Sequence, residues 1–466
     1  MSSLHAHFSR LQSAHRSSEP LRYSERYAHL QALESAIRRY EDRLVEAMSH
    51  DFSHRSFDES RLFDIATSIA EVRSNRSALK RRMRPKTLKT PIQFLGAKTR
   101  IVPQPLGVVG IIAPWNFPIN LSIAPLAAAL AAGNRVMLKL SELAPATAKV
   151  LQTLLNDVFD EHHVCVITGD AQVAAEFSEL PFDHLLFTGS TAVGKRVAKA
   201  AANNLTPVTL ELGGKSPAIV GATADLKKAA TRIAWGKTAS AGQICVAPDY
   251  VLVPRDQLAP LTDHLLNAFA RMYPDNANSP DYTAIISPAH LNRLIALVDE
   301  VKQQGSDIKT AWDCNADEAI RQFPPTLVID PNVESRIMQE EIFGPILPIV
   351  PYDTPEQAIE FVTSRDHPLA LYLFSDNEAE KQRWINRTLS GRVTINDTVI
   401  QVSFDHLPFG GVGASGMGAY HGDTGFNTFS HLKPVVEQAK YNGMFVTLPP
   451  FTGWKRRAIH LLRKLM

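Results

Sequence analysis

Between residues 108 and 212 short apolar runs alternate with helix-type stretches, and this rhythm restricts the possible folds more than any other feature of the chain. Residues 108–114 read as a buried strand, 121–132 as an alanine-rich helix stopped by Gly133, and 135–140 as the next strand. Segments 163–168, 171–180, 184–187, 193–203 and 208–212 continue the alternation. Strands separated by helices of this length pair in parallel, so an open α/β sheet is expected. After Gly213 the rhythm restarts with 218–220, a helix from about 225 to 240 and a strand at 250–253, as a second α/β unit would. Upstream, Leu30, Leu33, Ile37, Leu44 and Met48 recur at helical spacing, and a polar helix is expected over 59–82.

A length of 466 residues exceeds one ordinary core, so two or three domains are expected. Hydrophobic residues at 45% exclude a disordered chain, and a net charge of +2 calls for neither nucleic acid nor an acidic partner. Ten Lys or Arg fall between Arg73 and Arg100 without an acid among them; with no interleaved aromatics this reads as a solvated face. Cys165, Cys245 and Cys314 lie too far apart to suggest a disulfide framework or a metal site, which fits a reducing compartment. The first residues lack the apolar core of a signal peptide and no apolar run is long enough to span a bilayer, so a cytoplasmic protein is expected. The tail from Trp454 is basic and amphipathic. It reads either as a docked or frayed helix or as a segment in weak peripheral contact with a membrane.

Chemistry concentrates in two segments. Leu210-Glu211-Leu212-Gly213-Gly214-Lys215 sets a carboxylate at the end of an apolar strand, and Gly242-Gln243-Ile244-Cys245-Val246-Ala247-Pro248 places a thiol 34 residues later. A lone cysteine is ordinarily a small buried hydrophobe. Paired with a carboxylate, it supplies a nucleophile and a base able to activate water. Asn116, stiffened by Pro114 and Pro118, is either a turn cap or a rigidly held amide donor. Gly189-Ser190-Thr191-Ala192-Val193-Gly194 follows a strand and opens a helix. It is either a plain turn or a phosphate cradle at a helix N-terminus.

Six separated motifs carry a resemblance: Pro114-Trp115-Asn116-Phe117-Pro118, Phe187-Thr188-Gly189-Ser190, the two segments above, Glu340-Glu341-Ile342-Phe343-Gly344-Pro345, and Leu407-Pro408-Phe409-Gly410-Gly411-Val412-Gly413. In this order they resemble the aldehyde dehydrogenase family from about residue 20 to about 435. Val246-Ala247-Pro248-Asp249-Tyr250 after the cysteine, and Ser415-Gly416-Met417-Gly418-Ala419-Tyr420-His421-Gly422, are similar to its class 3 branch, and within that branch to bacterial coniferyl aldehyde dehydrogenases.

The resemblance implies a Rossmann-type nucleotide-binding domain over 1–210 with a return at 397–426, and a catalytic α/β domain over 211–396. It also implies a β oligomerisation arm from 96–106 and 427–440, followed by a basic tail over 441–466. It implies Cys245 as nucleophile, Glu211 as the base for water and Asn116 as oxyanion donor. NAD would be held by Trp115, Lys139, Glu142, Gly189, Ser190, Gly194, Leu212, Gly213, Glu341 and Phe343. A carboxylate at Glu142 accepts from a free ribose 2′-hydroxyl and repels a 2′-phosphate, which favours NAD while NADP stays possible. Phe117, Asn120 and Leu121 would line the pocket for the small-molecule aldehyde, an aromatic one of coniferyl type or, alternatively, a medium- or long-chain aliphatic one. The class 3 resemblance further implies a homodimer.

Overall fold

The computed structural model describes residues 3–91, 94, 96–312 and 316–465, so Cys314 lies outside the described residues. The alternation over 108–212 folds as expected into a six-stranded sheet. Its order is Gly416–Met417, Val208–Leu212, His184–Gly189, Val108–Ile112, Arg135–Lys139, Val164–Ile167. All neighbours are parallel except the first pair, in which Gly416 faces Glu211. Strand Val108–Ile112 is buried at every position, as a parallel strand covered on both faces must be. Helix Asn120–Ala132 is buried at all but its first residue and ends at Gly133, whose φ of 94° needs no Cβ.

The second unit is a seven-stranded sheet ordered Asp307–Thr310, Thr326–Ile329, Ile346–Tyr352, Tyr250–Pro254, Pro217–Val220, Ala370–Phe374, Arg392–Ile395. Only the edge pair Asp307–Thr310 with Thr326–Ile329 is antiparallel. A third, three-stranded antiparallel sheet joins Lys86–Leu88, Lys98–Pro105 and Ser430–Glu437, the last two paired from Ser430–Pro105 to Glu437–Lys98.

Two elements differ from the sequence expectation. Helix Ser3–Ser17 was not anticipated; Leu4, Phe8 and Leu11 anchor it in a cluster with Val108, Ile112 and Met137. The segment expected as one polar helix is Phe57–Glu59, a π-helical stretch Ser60–Ala66, and Thr67–Arg82. It buries Ser60, Asp64, Ser68, Glu71 and Asn75, so its polarity faces inward as well as outward. The basic run is largely exposed, as expected of a solvated face, and part of it pairs within the chain: Arg73 and Arg76 meet Glu34 at 2.7 and 3.0 Å, and Arg81 and Arg82 meet Asp423 at 2.6 and 2.8 Å. The tail forms helix Gly453–Leu465 but does not dock on the core. No residue from 431 to 464 is buried, and Tyr441, Phe445, Leu448, Phe451, Trp454 and Leu461 are exposed. Among the described residues no helix is long and apolar enough to cross a membrane.

Candidate functional site

In the six-stranded sheet, Val108–Ile112 has Arg135–Lys139 on one side and His184–Gly189 on the other. Connections therefore leave its carboxyl edge in opposite directions, and a crevice opens there, where open α/β sheets bind ligands. The Trp115-Asn116 loop, Gly189-Ser190 and Glu211 all lie at the carboxyl ends of these strands.

One side of the crevice is shaped by close approach. Gly194, in the first turn of helix Thr191–Ala202, faces Leu212; a Cβ there would stand 2.6 Å from a Leu212 methyl. Ser190 caps this helix, its hydroxyl accepting from the Val193 N–H at 3.4 Å. A Cβ at Gly213 would fall 2.1 Å from a Glu341 carboxylate oxygen, so only glycine lets that acid reach the strand end. Lys139 is buried at the end of its strand and donates to the Leu140 carbonyl at 2.8 Å and to Glu142 at 3.3 Å. The Trp115 ring meets the Phe343 ring edge-on at 5.4 Å, with Phe343 held at a φ of 48°.

On the other side, helix Leu226–Thr238 ends in a tight turn. Ser240, Ala241 and Gly242 take left-handed φ values of 48°, 51° and 72° and swing the chain toward Cys245. Gly242 presses on the Gly344 carbonyl, where a Cβ would be 2.4 Å away, so the cysteine loop leans on the Glu341–Gly344 segment. The Asn116 side chain donates one amide N–H to the Gln243 carbonyl at 3.1 Å, which ties the Trp-Asn loop to the cysteine loop and leaves a second N–H for a ligand. Gln243 in turn donates to the carbonyls of Ser240 and Ala284 and accepts from the Ile286 N–H.

Electrostatics set the protonation states. Glu211 is 1% exposed, and neither carboxylate oxygen has a hydrogen-bond partner among the described residues. Burial, then repulsion from Glu341, pushes its pKa up to about 8 against the pull of Arg392. Glu341 is likewise pushed up to about 8, first by burial and then by Asp249. Burial and both glutamates hold the Cys245 thiol well above its ordinary value, opposed by the N–H groups of Cys245 and Val246. Both influences favour the neutral thiol at Cys245 over the thiolate.

Cys245 opens into an apolar pocket walled by Phe117, Leu121, Ile244, Val246, Val399, Val402 and Phe409, with Asn120 at its side. Phe117, Asn120 and Leu121, which the resemblance set beside the aldehyde, thus line the cavity at Cys245. The other wall residues were not assigned to the pocket from sequence, among them Phe63 and Thr67 from the N-terminal helices and Tyr420 and His421 from the return segment. Tyr420 and His421 belong to a motif visible in the sequence, but nothing local to it says which cavity they face.

The aldehyde dehydrogenase family model matches residues 4–435. The chain is 45% identical to a probable coniferyl aldehyde dehydrogenase of Pseudomonas aeruginosa, over 96% of this chain and 94% of that one. The structure of a substrate-bound Staphylococcus aureus AldH superposes with a TM-score of 0.95 at 40% identity, covering 99% of this chain and all of that one. Betaine aldehyde dehydrogenase of Staphylococcus aureus, in complex with NAD+, superposes with a TM-score of 0.85 at 26% identity, covering 94% and 88%. A match this long on both sequence and fold makes the chain a member of the aldehyde dehydrogenase family, an oxidoreductase acting on aldehydes.

Proposed function

We propose that the protein oxidises an aldehyde to its carboxylic acid, using NAD in preference to NADP, through a thioester on Cys245. The carrying observation is the convergence of the Cys245 thiol, the Asn116 amide and the unpartnered Glu211 carboxylate on one crevice. The crevice suits a dinucleotide: Gly194 and Gly213 clear space that a Cβ would fill, the helix at Thr191 presents free N–H groups, and Lys139, Glu142 and Glu341 offer partners for ribose hydroxyls. When bound, the nicotinamide accepts the hydride. In this reading residues 1–210 and 397–426 hold the dinucleotide and 211–396 carry the nucleophile.

Cys245 loses its proton and adds to the carbonyl carbon, and the oxyanion takes hydrogen bonds from Asn116 and the Cys245 N–H. Preorganised donors of this kind lower a barrier by roughly 3–4 kcal/mol each. Loss of hydride from the tetrahedral carbon leaves the thioester. Glu211 then takes a proton from water as it attacks, and collapse releases the acid and restores the thiol.

For the substrate we favour an aromatic aldehyde of coniferyl type, supported by the aromatic walls Phe117, Phe409 and Tyr420 and by the relative at 45% identity. The apolar lining also admits a medium- or long-chain aliphatic aldehyde. Comparing kcat/KM for coniferyl aldehyde and decanal decides: a higher value for decanal rejects the aromatic assignment. The side chain of Glu142 is 43% exposed at the crevice rim, where it can meet a ribose. Glu142→Gln is expected to narrow the KM gap between NAD and NADP, and a lower KM for NADP in the parent protein would contradict the role given to Glu142.

The protein is further proposed to pair as a homodimer through the three-stranded sheet, whose strand Ser430–Glu437 has one edge unpaired and exposes Leu432 and Val436. Light scattering should give twice 51.4 kDa; a monomer at micromolar concentration would rule it out. The exposed basic tail is assigned weak contact with anionic lipid. Loss of sedimentation with phosphatidylserine vesicles on deleting 441–466 checks this, and equal sedimentation of both forms rejects it.

A further inference from the structure

A cluster of buried charge lies behind the site, on the segment Arg55–Thr67. Arg55 and Asp64 are both fully buried and form an ion pair at 3.3 Å. Arg55 also donates to the Asn116 carbonyl at 2.6 Å. Asp64 accepts the backbone N–H groups of Ile119 and Asn120 at 3.1 and 2.6 Å, so one carboxylate and one guanidinium grip both ends of the Asn116 loop. Glu59 reaches the other way. Its carboxylate accepts the Ser240 N–H at 3.0 Å and the Thr283 hydroxyl at 3.1 Å. Ser240 opens the left-handed turn that delivers Cys245, and two successive non-glycine residues in that region are strained unless their surroundings hold them.

The local backbone explains how one short segment serves both loops. In a regular α-helix residues five apart stand about 140° from each other around the axis. Over Ser60–Ala66 the wider π-helical turn brings residues five apart closer to one face, and Phe63 in that stretch and Thr67 just after it line the pocket. Asp64 is fully buried and Glu59 half-buried, and desolvation raises them to about 6 and about 7.

We infer that Glu59 and Asp64, with Arg55, are positioning residues that hold the Cys245 turn and the Asn116 loop at the separation required for attack on the aldehyde, an inference resting on the roles proposed above for Cys245 and Asn116. None of the three lines the pocket at Cys245. Their removal therefore acts on the chemical step and leaves dinucleotide affinity alone.

The test compares Glu59→Ala, Glu59→Gln and Thr283→Val, with rates expressed per NAD-binding site titrated on each preparation. Glu59→Ala should lower kcat by roughly 30–100-fold, the scale of a small misplacement of reacting groups, with the NAD dissociation constant within about twofold of the parent. Alkylation of Cys245 by iodoacetamide, followed by mass spectrometry, should slow in the same variant. Gln keeps an oxygen that accepts both hydrogen bonds, so Glu59→Gln should recover most of the loss. A purely structural role would lower the yield of folded protein but not kcat per site. Parent-like kcat per site in Glu59→Ala, a parallel loss of NAD affinity, or failure of Gln to rescue would each overturn the inference. Should Glu59→Ala fail to fold, the near-isosteric Thr283→Val decides: about a tenfold lower kcat supports the inference and an unchanged kcat overturns it. Activity persisting in Cys245→Ala would instead defeat the underlying mechanism, a separate result read in the same series.

Discussion

Cys245→Ala should abolish aldehyde oxidation, with kcat falling by at least about 10⁴-fold, the scale on which loss of a covalent nucleophile is felt. Its NAD dissociation constant should stay near the parent value, because most of the groups assigned to the dinucleotide, Lys139, Ser190 and Gly194 among them, lie on the six-stranded sheet and its helices, and removing one sulfur leaves the backbone of the cysteine turn against Gly344 in place. Cys165 provides the control. It sits in strand Val164–Ile167, its thiol is pushed up to about 11 by burial, and its sulfur neighbour is His7 at 3.5 Å, far from the crevice in the fold. Cys165→Ala should turn over at close to the parent rate. An active Cys245→Ala beside an inactive Cys165→Ala would reverse the assignment of the nucleophile.

The second large effect is expected from Glu211→Gln, which should split the reaction. Attack and hydride loss use Cys245 and Asn116, whereas hydrolysis needs a base for water. A positioned base of this kind contributes about 10²–10⁴-fold. The variant should release up to one NADH per site in a burst and then stall, with the acyl group retained on Cys245 and visible by mass spectrometry. The parent protein should show the matching pH dependence. With Glu211 at about 8, its base form grows as pH rises through that value, so a hydrolysis-limited kcat climbs from pH 6 to 9. The climb should vanish in Glu211→Gln. Steady turnover at the parent rate without an acyl adduct would remove Glu211 from the mechanism.

Much of this arrangement is legible in the sequence because it rests on local pattern. The strand carrying Glu211 is an apolar run, the helix ending at Gly133 carries its own stop signal, and Gly194 in the first turn of a helix and Gly213 just past a strand end stand where their lack of a side chain is used. What stays hidden depends on partners distant in the chain. The π-helical stretch Ser60–Ala66 is tied through Asp64 to the backbone at Ile119 and Asn120, more than fifty residues away, and no periodicity within 59–82 encodes that. Helix Ser3–Ser17 exposes most of its surface and buries only Leu4, Phe8 and Leu11, a stripe too thin to stand out among polar neighbours. The raised pKa of Glu211 is likewise a property of burial and of Glu341, 130 residues further on.

The short strand Gly416–Met417 has a consequence for how this chain can be cut or recombined. It pairs with Leu210 and Glu211 after the polypeptide has already built the whole seven-stranded sheet, so the edge beside the proposed base is closed by residues made some two hundred positions later. A break near residue 396 would bare that edge and remove the Phe409 and Tyr420 walls in one step. Neither half can therefore be exchanged as a module between relatives: a chimera joined at the seam between the sheets must import the returning segment together with the strand that it covers.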